Sequence, residues 1–310
     1  MKKKKIPFIL NPAAGGGQGL AKLNHLREKI ELFDLPAEII LSQSEDHLLQ
    51  LIRNLASQER LLVGIGGDST FNLMANELLK TGGISTLAFV GLGSSNDIPR
   101  EFGLLTLDQA FQAIKEGREK LIDVAAIIYQ GKIIQYVLGQ VNIGLGVIVN
   151  EYISKLISRR SWFRHRQNLA GLLAILSAYR KKQNLIPLSI ETRNQFYSDY
   201  FTIALLTNLR YWATGRMIAP KASPEDGLFD LCLIKASSLG LFLYIALLAS
   251  RGRHLNLAQV ITTKDNWFRV SSEKKFRLQA DGEIIKIGGK PFETDHFELQ
   301  VLPRVLRIIA

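Results

Sequence analysis

Two patterns of hydrophobic positions divide the chain near residue 121. In the first part, short apolar runs alternate with segments whose apolar residues recur every three or four positions, and these patterns indicate strands and helices respectively. Strands are predicted over 6–10, 38–42, 61–65 and 86–90, and helices over 20–32, 45–56 and 70–79. Strands that alternate with helices in this way form a mostly parallel sheet covered by helices on both faces.

The second part has apolar residues at every other position, which is typical of strands with one buried face. Strands are predicted over 123–130, 132–142, 188–192, 199–207, 228–234, 266–271 and 276–280. Two helical segments, 151–182 and 237–251, interrupt them. We therefore predict a second, mainly antiparallel domain over 123–297, separated by a cleft from a first domain over 1–122.

Three predicted strands of the first domain each end in a loop rich in glycine, and these loops begin at Asn11, Gly66 and Gly91. In parallel α/β sheets the ligand binds at the carboxyl ends of the strands. Glycine turns and the amides at a helix start favour phosphates there. Asp68 offers an oxygen for Mg²⁺ and Thr70 a hydroxyl for a phosphate, although both also suit an ordinary helix start.

The glycine loops do not match two common phosphate-binding motifs. No Gly-Lys-Ser/Thr occurs in the chain, so the loops are not of the P-loop type. Ser69 stands where a dinucleotide-binding fingerprint has its last glycine, and no carboxylate follows about 20 residues later. The segment from Gly93 to Arg100 suits a ribose or phosphates, but it also suits a helix start with Pro99 in its first turn.

Two other features of the sequence bear on chemistry. Asp281 and Glu283 flank Gly282, whose freedom to bend could aim one carboxylate into the cleft as a general base. An ordinary Asp-Gly turn is the alternative. The single cysteine, Cys232, lies in an alternating strand, which excludes an internal disulfide and predicts a buried thiol.

Charge and hydropathy limit the partners. The chain of 310 residues carries 39 Lys and Arg against 28 Asp and Glu, a net charge of +11, which favours nucleotides, nucleic acid or an acidic membrane surface. The basic segment 155–182 has no acidic residue and contains Trp162 and Phe163. These features predict a helix that lies on an anionic bilayer. The alternative interpretation is a buried helix whose basic face is exposed to solvent. The apolar runs are too short for a spanning helix, which predicts a cytoplasmic protein with peripheral membrane association.

Six segments occur in a recognisable order: Asn11-Pro12 with its glycines, 66–72 (Gly-Gly-Asp-Ser-Thr-Phe-Asn), 93–100 (Gly-Ser-Ser-Asn-Asp-Ile-Pro-Arg), 142–146 (Asn-Ile-Gly-Leu-Gly), 208–230 and 281–283 (Asp-Gly-Glu). In this order they resemble the diacylglycerol kinase catalytic family, lipid kinases that include bacterial diacylglycerol kinases and sphingosine kinases. The chain departs from the family's pattern at Ser69, where the family has glycine. If that position required a positive φ, serine would strain the loop, and Ser69→Gly would then improve nucleotide binding or turnover.

The resemblance implies a fold and ligands. The first domain would be a Rossmann-like parallel α/β domain with a nucleotide site of the NAD-kinase and phosphofructokinase type, to which the last strand, within 298–310, returns. The second would be a mainly antiparallel β-sandwich. A structural Mg²⁺ would lie on Asp226 with Ser223 and Leu228. ATP with its Mg²⁺ would bind through Asn11, Gly15, Gly16, Gly66, Gly67, Thr70, Gly93, Ser94 and Asn96.

The resemblance also implies roles for charged residues. Glu283 would be the base for a lipid hydroxyl beside Asp281, Asp68 would organise the phosphates and Mg²⁺, and Asp97 and Arg100 would support the site. We therefore predict an ATP-dependent lipid kinase, with diacylglycerol as the favoured substrate at a membrane surface. An NAD-kinase-like enzyme and a catalytically weakened lipid-binding relative are the alternatives. No aromatic-rich nucleic-acid motif occurs, so a nucleic-acid partner is not expected, and an oligomer is compatible with the sequence.

Overall fold

The structure, a computed structural model, describes residues 4–17, 19–93, 95–159, 167–213 and 215–310. Its helices are α1 (Ala14–Gly17), α2 (Leu23–Leu32), α3 (Glu45–Leu55), α4 (Asp68–Thr81), α5 (Asp97–Glu101), α6 (Leu107–Glu116), α7 (Leu145–Arg159), α8 (Gln167–Arg180) and α9 (Leu239–Ala249). Its strands are β1 (Ile6–Leu10), β2 (Ala37–Leu41), β3 (Leu61–Gly66), β4 (Thr86–Gly91), β5 (Glu119–Tyr129), β6 (Lys132–Val137), β7 (Gln140–Gly144), β8 (Ile186–Thr192), β9 (Phe196–Phe201), β10 (Ile203–Thr207), β11 (Tyr211–Trp212), β12 (Arg216–Met217), β13 (Phe229–Ile234), β14 (Val260–Asp265), β15 (Trp267–Ala280), β16 (Glu283–Ile284), β17 (Lys286–Ile287), β18 (Lys290–Pro291) and β19 (Glu293–Ile309).

The described residues form two compact units. The first unit contains 4–124, Tyr211–Gly215 and Pro303–Ala310, and the second contains Ala125–Arg210 and Arg216–Leu302. Strand β19 therefore contributes to both. Its end lies in the first unit, where Ile308 pairs in parallel with Leu87 of β4.

The first unit is built on a parallel sheet in which β4, β3, β1 and β2 are neighbours in that order. In the register, Phe8 of β1 lies between Ile39 of β2 and Val63 of β3. Strands β1, β3 and β4 are apolar and almost entirely buried, as expected for a parallel sheet covered on both faces. Phe8 and Phe111 of α6 contact each other in the core on one face.

Side-chain caps mark the start of two helices of this unit, α3 and α6. The Ser44 hydroxyl accepts a hydrogen bond from the His47 amide at the start of α3. A capping box between Thr106 and Gln109 begins α6, and Gly117 ends it in the left-handed conformation. Helix α6 was not among the predicted helices, although this capping box is a sequence signal for it. No side chain caps α4, so its start, at the end of β3, is open to a ligand.

The second unit is antiparallel, with β14, β13, β10, β7 and β15 as successive neighbours. Strand β15 pairs with β8 and β19 along its first part and with β7 along its last part. Its register with β19 shifts between Ser271 and Phe276. The two predicted strands 266–271 and 276–280 are therefore one long strand. The core of the second unit includes the fully buried rings of Phe229, Phe268 and Phe297. The predicted fold class is confirmed.

The helical segments of the second unit differ from the prediction in one respect. The single helical segment predicted over 151–182 contains two helices, because α7 ends at Arg159 and α8 begins at Gln167. The predicted membrane-contacting residues Arg160, Trp162, Phe163, Arg164 and Arg166 lie outside the described residues.

The cysteine has the environment expected from the sequence. Cys232 of β13 is free and buried, and its thiol lies in the core of the second unit. Burial, and secondarily the neighbouring Asp230, raises the pKa of Cys232 to about 12. A thiol with so high a pKa is a poor nucleophile at neutral pH. The predicted burial of the thiol is confirmed.

Candidate active site

Asn11 and Thr70 join the first two glycine loops of the first unit. Asn11 follows β1, and its Nδ2 donates a hydrogen bond of 3.0 Å to Oγ1 of Thr70, in the first turn of α4 after β3. The Asn11 Oδ1 accepts a second bond of 3.0 Å, from the amide of Ala13. Asn11 therefore fixes its own loop and holds it against the neighbouring strand end.

Glycine is required where these loops pack closely. A Cβ atom on Gly93 would lie 2.7 Å from the Cα of Gly67, and one on Gly66 would lie 2.5 Å from Oγ1 of Thr70. Neither contact is tolerated without movement of the backbone or of a bonded side chain. Gly66, Gly67 and Gly93 thus bring the ends of β3 and β4 together with no side chains between them, and the Gly93 amide donates a hydrogen bond of 3.2 Å to the Gly66 carbonyl across this contact.

Asp68 links the second loop to the third. Its Oδ2 accepts a hydrogen bond from the Asp97 amide and its Oδ1 one from the Ile98 amide, both at 3.0 Å. Burial raises the pKa of Asp68, and these two amides partly oppose the shift. Both oxygens already hold α5 against α4, and the expected contribution of Asp68 to Mg²⁺ binding stays a prediction.

Asp97 organises the third loop. One carboxylate oxygen accepts a bond of 2.7 Å from the Ser95 hydroxyl, and the other accepts one of 2.8 Å from the amide of Gly215. The Arg100 guanidinium lies 4.0 Å from Asp97 and over the ring of Tyr211, 5.8 Å from its centroid. Asp97 thus ties the loop to the segment Tyr211–Gly215, a connection that sequence spacing could not show.

Asn96 gives the third loop an unsatisfied acceptor. It adopts a left-handed conformation with φ 52°, and its Oδ1 is buried without a hydrogen-bond partner among the described residues. A buried acceptor costs free energy unless a ligand supplies a donor, such as a hydroxyl or an amino group. Together with the glycine cradle and the open start of α4, this atom fits a nucleotide. Ser94, the neighbouring predicted ligand, lies outside the described residues.

Ser69, Gly15 and Gly16 lie in the helices that follow the first two glycine loops. Ser69 lies in the first turn of α4 and is not among the residues with positive φ. The strain expected at this serine is therefore absent, because the helix gives it an ordinary right-handed conformation, and the gain expected from Ser69→Gly loses its support from backbone strain. Gly15 and Gly16 lie in α1, after β1, and Gly15 has a φ of 62°.

A rigid turn in the second unit precedes Glu283. Asp281 is buried with φ 47°, and its carboxylate accepts hydrogen bonds from three successive amides, those of Leu138, Gly139 and Gln140, at 2.9, 2.7 and 2.8 Å. The Asn150 side chain donates to the carbonyl of Gly282 at 2.7 Å. Asp281 therefore holds the turn in place, while Glu283, two residues later, is exposed.

An ammonium group lies where the resemblance implies a structural Mg²⁺. Lys264 Nζ lies 3.0 Å from Oδ2 of Asp226 and 2.7 Å from the carbonyl oxygen of Lys221. The other Asp226 oxygen accepts a bond of 3.1 Å from the amide of Leu228. The Ser223 hydroxyl accepts from the Glu225 amide at 3.4 Å.

These residues do not fit a divalent ion. The carboxylate oxygen that would bind the metal already has a positively charged partner, and two cations on one oxygen would repel each other. Among the described residues, no group of three or more His, Cys, Asp or Glu side chains could hold a metal ion. Lys264 was not predicted from the sequence, because only the pairing of β13 with β14 places it opposite Asp230.

The chain matches two family models. The model for the diacylglycerol kinase catalytic domain matches residues 5–127. The model for the YegS C-terminal NAD kinase beta sandwich-like domain matches residues 139–310, which is more than half of the chain. The chain belongs to the diacylglycerol kinase family.

Relatives of this diacylglycerol kinase family member match it over nearly its whole length. A diacylglycerol kinase of Bacillus subtilis (strain 168) is 26% identical over 289 residues, which cover 90% of this chain and 90% of that protein. A diacylglycerol kinase of Staphylococcus carnosus (strain TM300) is 24% identical over 289 residues, 91% of this chain and 89% of that one. A solved diacylglycerol kinase structure from Bacillus anthracis strain Sterne has the same fold, with a TM-score of 0.71 at 21% identity over 98% of this chain and 96% of that one.

Proposed function

We propose that this member of the family transfers the γ-phosphoryl group of ATP to the hydroxyl group of diacylglycerol, producing phosphatidic acid and ADP. The observation that carries the proposal is the assembly of the three glycine loops by Asn11, Asp68 and Asp97 around the unsatisfied acceptor of Asn96. The family membership and the diacylglycerol kinase relatives support the choice of reaction. An enzyme of this kind supplies alignment and charge neutralisation to phosphoryl transfer.

The glycine loops are the proposed nucleotide site. The polyphosphate would lie against Gly67 and Gly93, where the start of α4 has no side-chain cap and therefore favours negative charge. Mg²⁺ that arrives with the nucleotide would neutralise the phosphate charge that develops during transfer. Asn96 would accept a hydrogen bond from the nucleoside.

Glu283 is the proposed general base. An alcohol is a weak nucleophile at neutral pH, so a carboxylate must take its proton as the oxygen attacks phosphorus and ADP leaves. Glu283 is exposed and therefore accessible to a substrate. Asp281 would act as a positioning residue, because its three amide partners fix the turn from which Glu283 extends. The predicted approach of Glu283 to the glycine loops stays a prediction.

Two helices of the second unit support lipid contact. On α8, the alanines Ala170, Ala174 and Ala178 are buried, while the opposite face carries four exposed leucines, Leu169, Leu172, Leu173 and Leu176. Helix α9 exposes Leu243, Tyr244 and Leu247. Tyr179 of α8 contacts Phe242 of α9, with ring centroids 5.9 Å apart, so the two helices are neighbours.

We propose that this leucine face lies on an anionic bilayer. Exposed Arg180, Lys181 and Lys182 follow directly at the end of α8 and would attract acidic lipid headgroups. Leucine side chains would enter the headgroup region, as on other helices that lie along a membrane surface. Among the described residues, each helix is too short or too polar to pass through a bilayer. Contact with the surface would bring the enzyme to its lipid.

A radiolabelled ATP assay tests the reaction. The protein would be incubated with ATP and Mg²⁺ and with one acceptor at a time: vesicles containing diacylglycerol, ceramide, sphingosine or phosphatidylglycerol, or NAD in solution. We expect label in phosphatidic acid. Label in another lipid keeps the kinase and corrects the substrate. Label in NAD alone favours the NAD-kinase alternative, and ATP binding without label in any acceptor favours a catalytically weakened relative.

A further inference from the structure

Lys264 lies at the centre of three oxygen atoms in the second unit. Strand pairing places it directly opposite Asp230, because β13 and β14 are antiparallel neighbours with these residues in register. Its Nζ lies 2.7 Å from the Lys221 carbonyl, 3.0 Å from Oδ2 of Asp226 and 3.3 Å from Oδ2 of Asp230. An ammonium has three donors, which matches the number of these acceptors.

The three acceptors belong to one loop and to the strand that follows it. Asp230 belongs to β13, whereas Lys221 and Asp226 lie in the loop that precedes that strand, which we call the 219–228 loop. Within this loop, the second Asp226 oxygen accepts a hydrogen bond from the amide of Leu228, so both oxygens of the carboxylate have a partner. The Lys264 side chain is only 29% exposed and that of Asp230 only 13%, which limits the screening of their charges by water. The ammonium therefore joins the 219–228 loop to the β13–β14 pair.

A carbonyl and two carboxylates are also the donors that a divalent cation selects. We propose that Lys264 is the resident cation of this site: its ammonium holds the 219–228 loop against β13 and β14 in place of a metal ion. The fold of the second unit is then complete without a divalent cation, and the need of the enzyme for Mg²⁺ is confined to the nucleotide. The proposal concerns folding, and it holds whichever lipid is the substrate.

Thermal unfolding of the nucleotide-free protein tests the proposal. The melting temperature of the wild type is expected to change by less than about 1 °C between EDTA and millimolar Mg²⁺ or Ca²⁺. In Lys264→Met, the uncharged side chain leaves the two carboxylates facing each other, so we expect a melting temperature about 5 °C lower in EDTA and at least half of that loss restored by the divalent ion. Lys264→Arg keeps the positive charge and should show no dependence on the ion.

Lys235→Met is the matched control. Lys235 is also partly buried, at 35% exposure of its side chain, and pairs with one carboxylate, Asp199, on the surface of the same unit. With a single carboxylate left behind, this variant offers no cation site, so its melting temperature should not respond to Mg²⁺ or Ca²⁺. An equal response in Lys235→Met and Lys264→Met would overturn the proposal, as would no response in Lys264→Met.

If Lys264→Met does not fold, the melting temperature of the wild type tests the proposal. A wild-type melting temperature that is the same in EDTA and in Mg²⁺ supports the proposal. A wild-type melting temperature that rises with Mg²⁺, with the rise abolished in Asp226→Asn, would show a metal at this site and overturn it. A rise that persists in Asp226→Asn comes from an ion bound elsewhere and supports a site already filled by Lys264.

Discussion

Asp68 accepts a hydrogen bond of 3.0 Å from the amide of Asp97, so that one half-buried carboxylate joins the loop after β3 to the loop after β4. The same carboxylate also accepts a hydrogen bond from the amide of Ile98. In Asp68→Asn, only one side-chain atom can accept, and the new NH₂ group would face a backbone N–H. We expect a loss of about 1–3 kcal/mol in the free energy of unfolding, from the unsatisfied amide. ATP affinity should fall as well, because the two loops separate.

Urea unfolding and equilibrium ATP binding measure these two effects. Asp34→Asn is the control, because Asp34 is exposed on the same unit and has a left-handed φ of 52°, which asparagine also adopts readily. Its stability should change by less than about 0.5 kcal/mol. An Asp68→Asn protein as stable as Asp34→Asn, with the same ATP affinity as the wild type, would contradict the role of Asp68 as a link between loops.

Glu283→Gln should abolish most turnover without destabilising the fold. The variant keeps the size of the side chain and removes the base, so kcat should fall by about 10²- to 10⁴-fold. The side chain is exposed, so the free energy of unfolding should change by less than about 0.5 kcal/mol. Glu273→Gln, an exposed glutamate on β15, should keep wild-type turnover. Equal turnover in the two variants would remove Glu283 from the reaction.

Asp281→Asn should lose both stability and turnover. An asparagine oxygen cannot accept all three amides of Leu138, Gly139 and Gln140, and the loss of charge weakens the bonds that remain. We expect a loss of about 2–4 kcal/mol in the free energy of unfolding. Turnover measured well below the melting temperature should also fall, because the turn before Glu283 is no longer fixed. A variant with wild-type stability would show that the three bonds are dispensable.

His254 should make the second unit less stable in acid. It is fully buried, with Nε2 at 3.0 Å from the carbonyl oxygen of Ile218. Burial lowers its pKa below the usual 6.5, and the carbonyl only partly opposes this shift. The unfolded chain therefore binds a proton more readily than the folded one, and stability should fall as the pH drops through 6.5, by at most about 1.4 kcal/mol per pH unit.

Urea unfolding at a series of pH values between about 5.5 and 7.5 measures this effect. In His254→Gln, the proton-binding group is gone, so the part of the pH dependence that it causes should disappear. His25→Gln is the control, because it also removes one imidazole, from a side chain that is 54% exposed instead of buried. The same pH dependence in the wild type and in His254→Gln would exclude the buried imidazole as its source.

The leucine face of α8 should determine membrane binding. Leu172→Gln together with Leu176→Gln replaces two exposed leucines, and burial of each in a bilayer is worth about 1.5–3 kcal/mol at most. We expect at least a tenfold weaker partition onto vesicles, measured by sedimentation, because tenfold corresponds to only about 1.4 kcal/mol. Leu32→Gln, a leucine 70% exposed on α2, is the control. Binding by the wild type that is insensitive to acidic lipid and to salt would contradict the proposed surface.

Much of the fold follows from local sequence patterns. The predicted strand 61–65 and helix 45–56 agree with β3 and α3 to within one residue at each end, since apolar periodicity and the Ser44 cap are local signals. The predicted strand 132–142 is interrupted, because Leu138 and Gly139 leave the ladder and donate their amides to Asp281. Side-chain periodicity carries no information about such a distant partner.

The sequence by itself determined the alternation of strands and helices and the glycine loops at the strand ends, because periodicity and turn chemistry act between near neighbours in the chain. It also placed Asp68 between a strand and a helix, and Asp281 directly after a strand, as the structure has them. Only the tertiary structure decided what their carboxylates hold, and that Lys264 lies among Lys221, Asp226 and Asp230. A hydrogen bond or ion pair between distant segments depends on strand register and loop packing, which no single segment encodes.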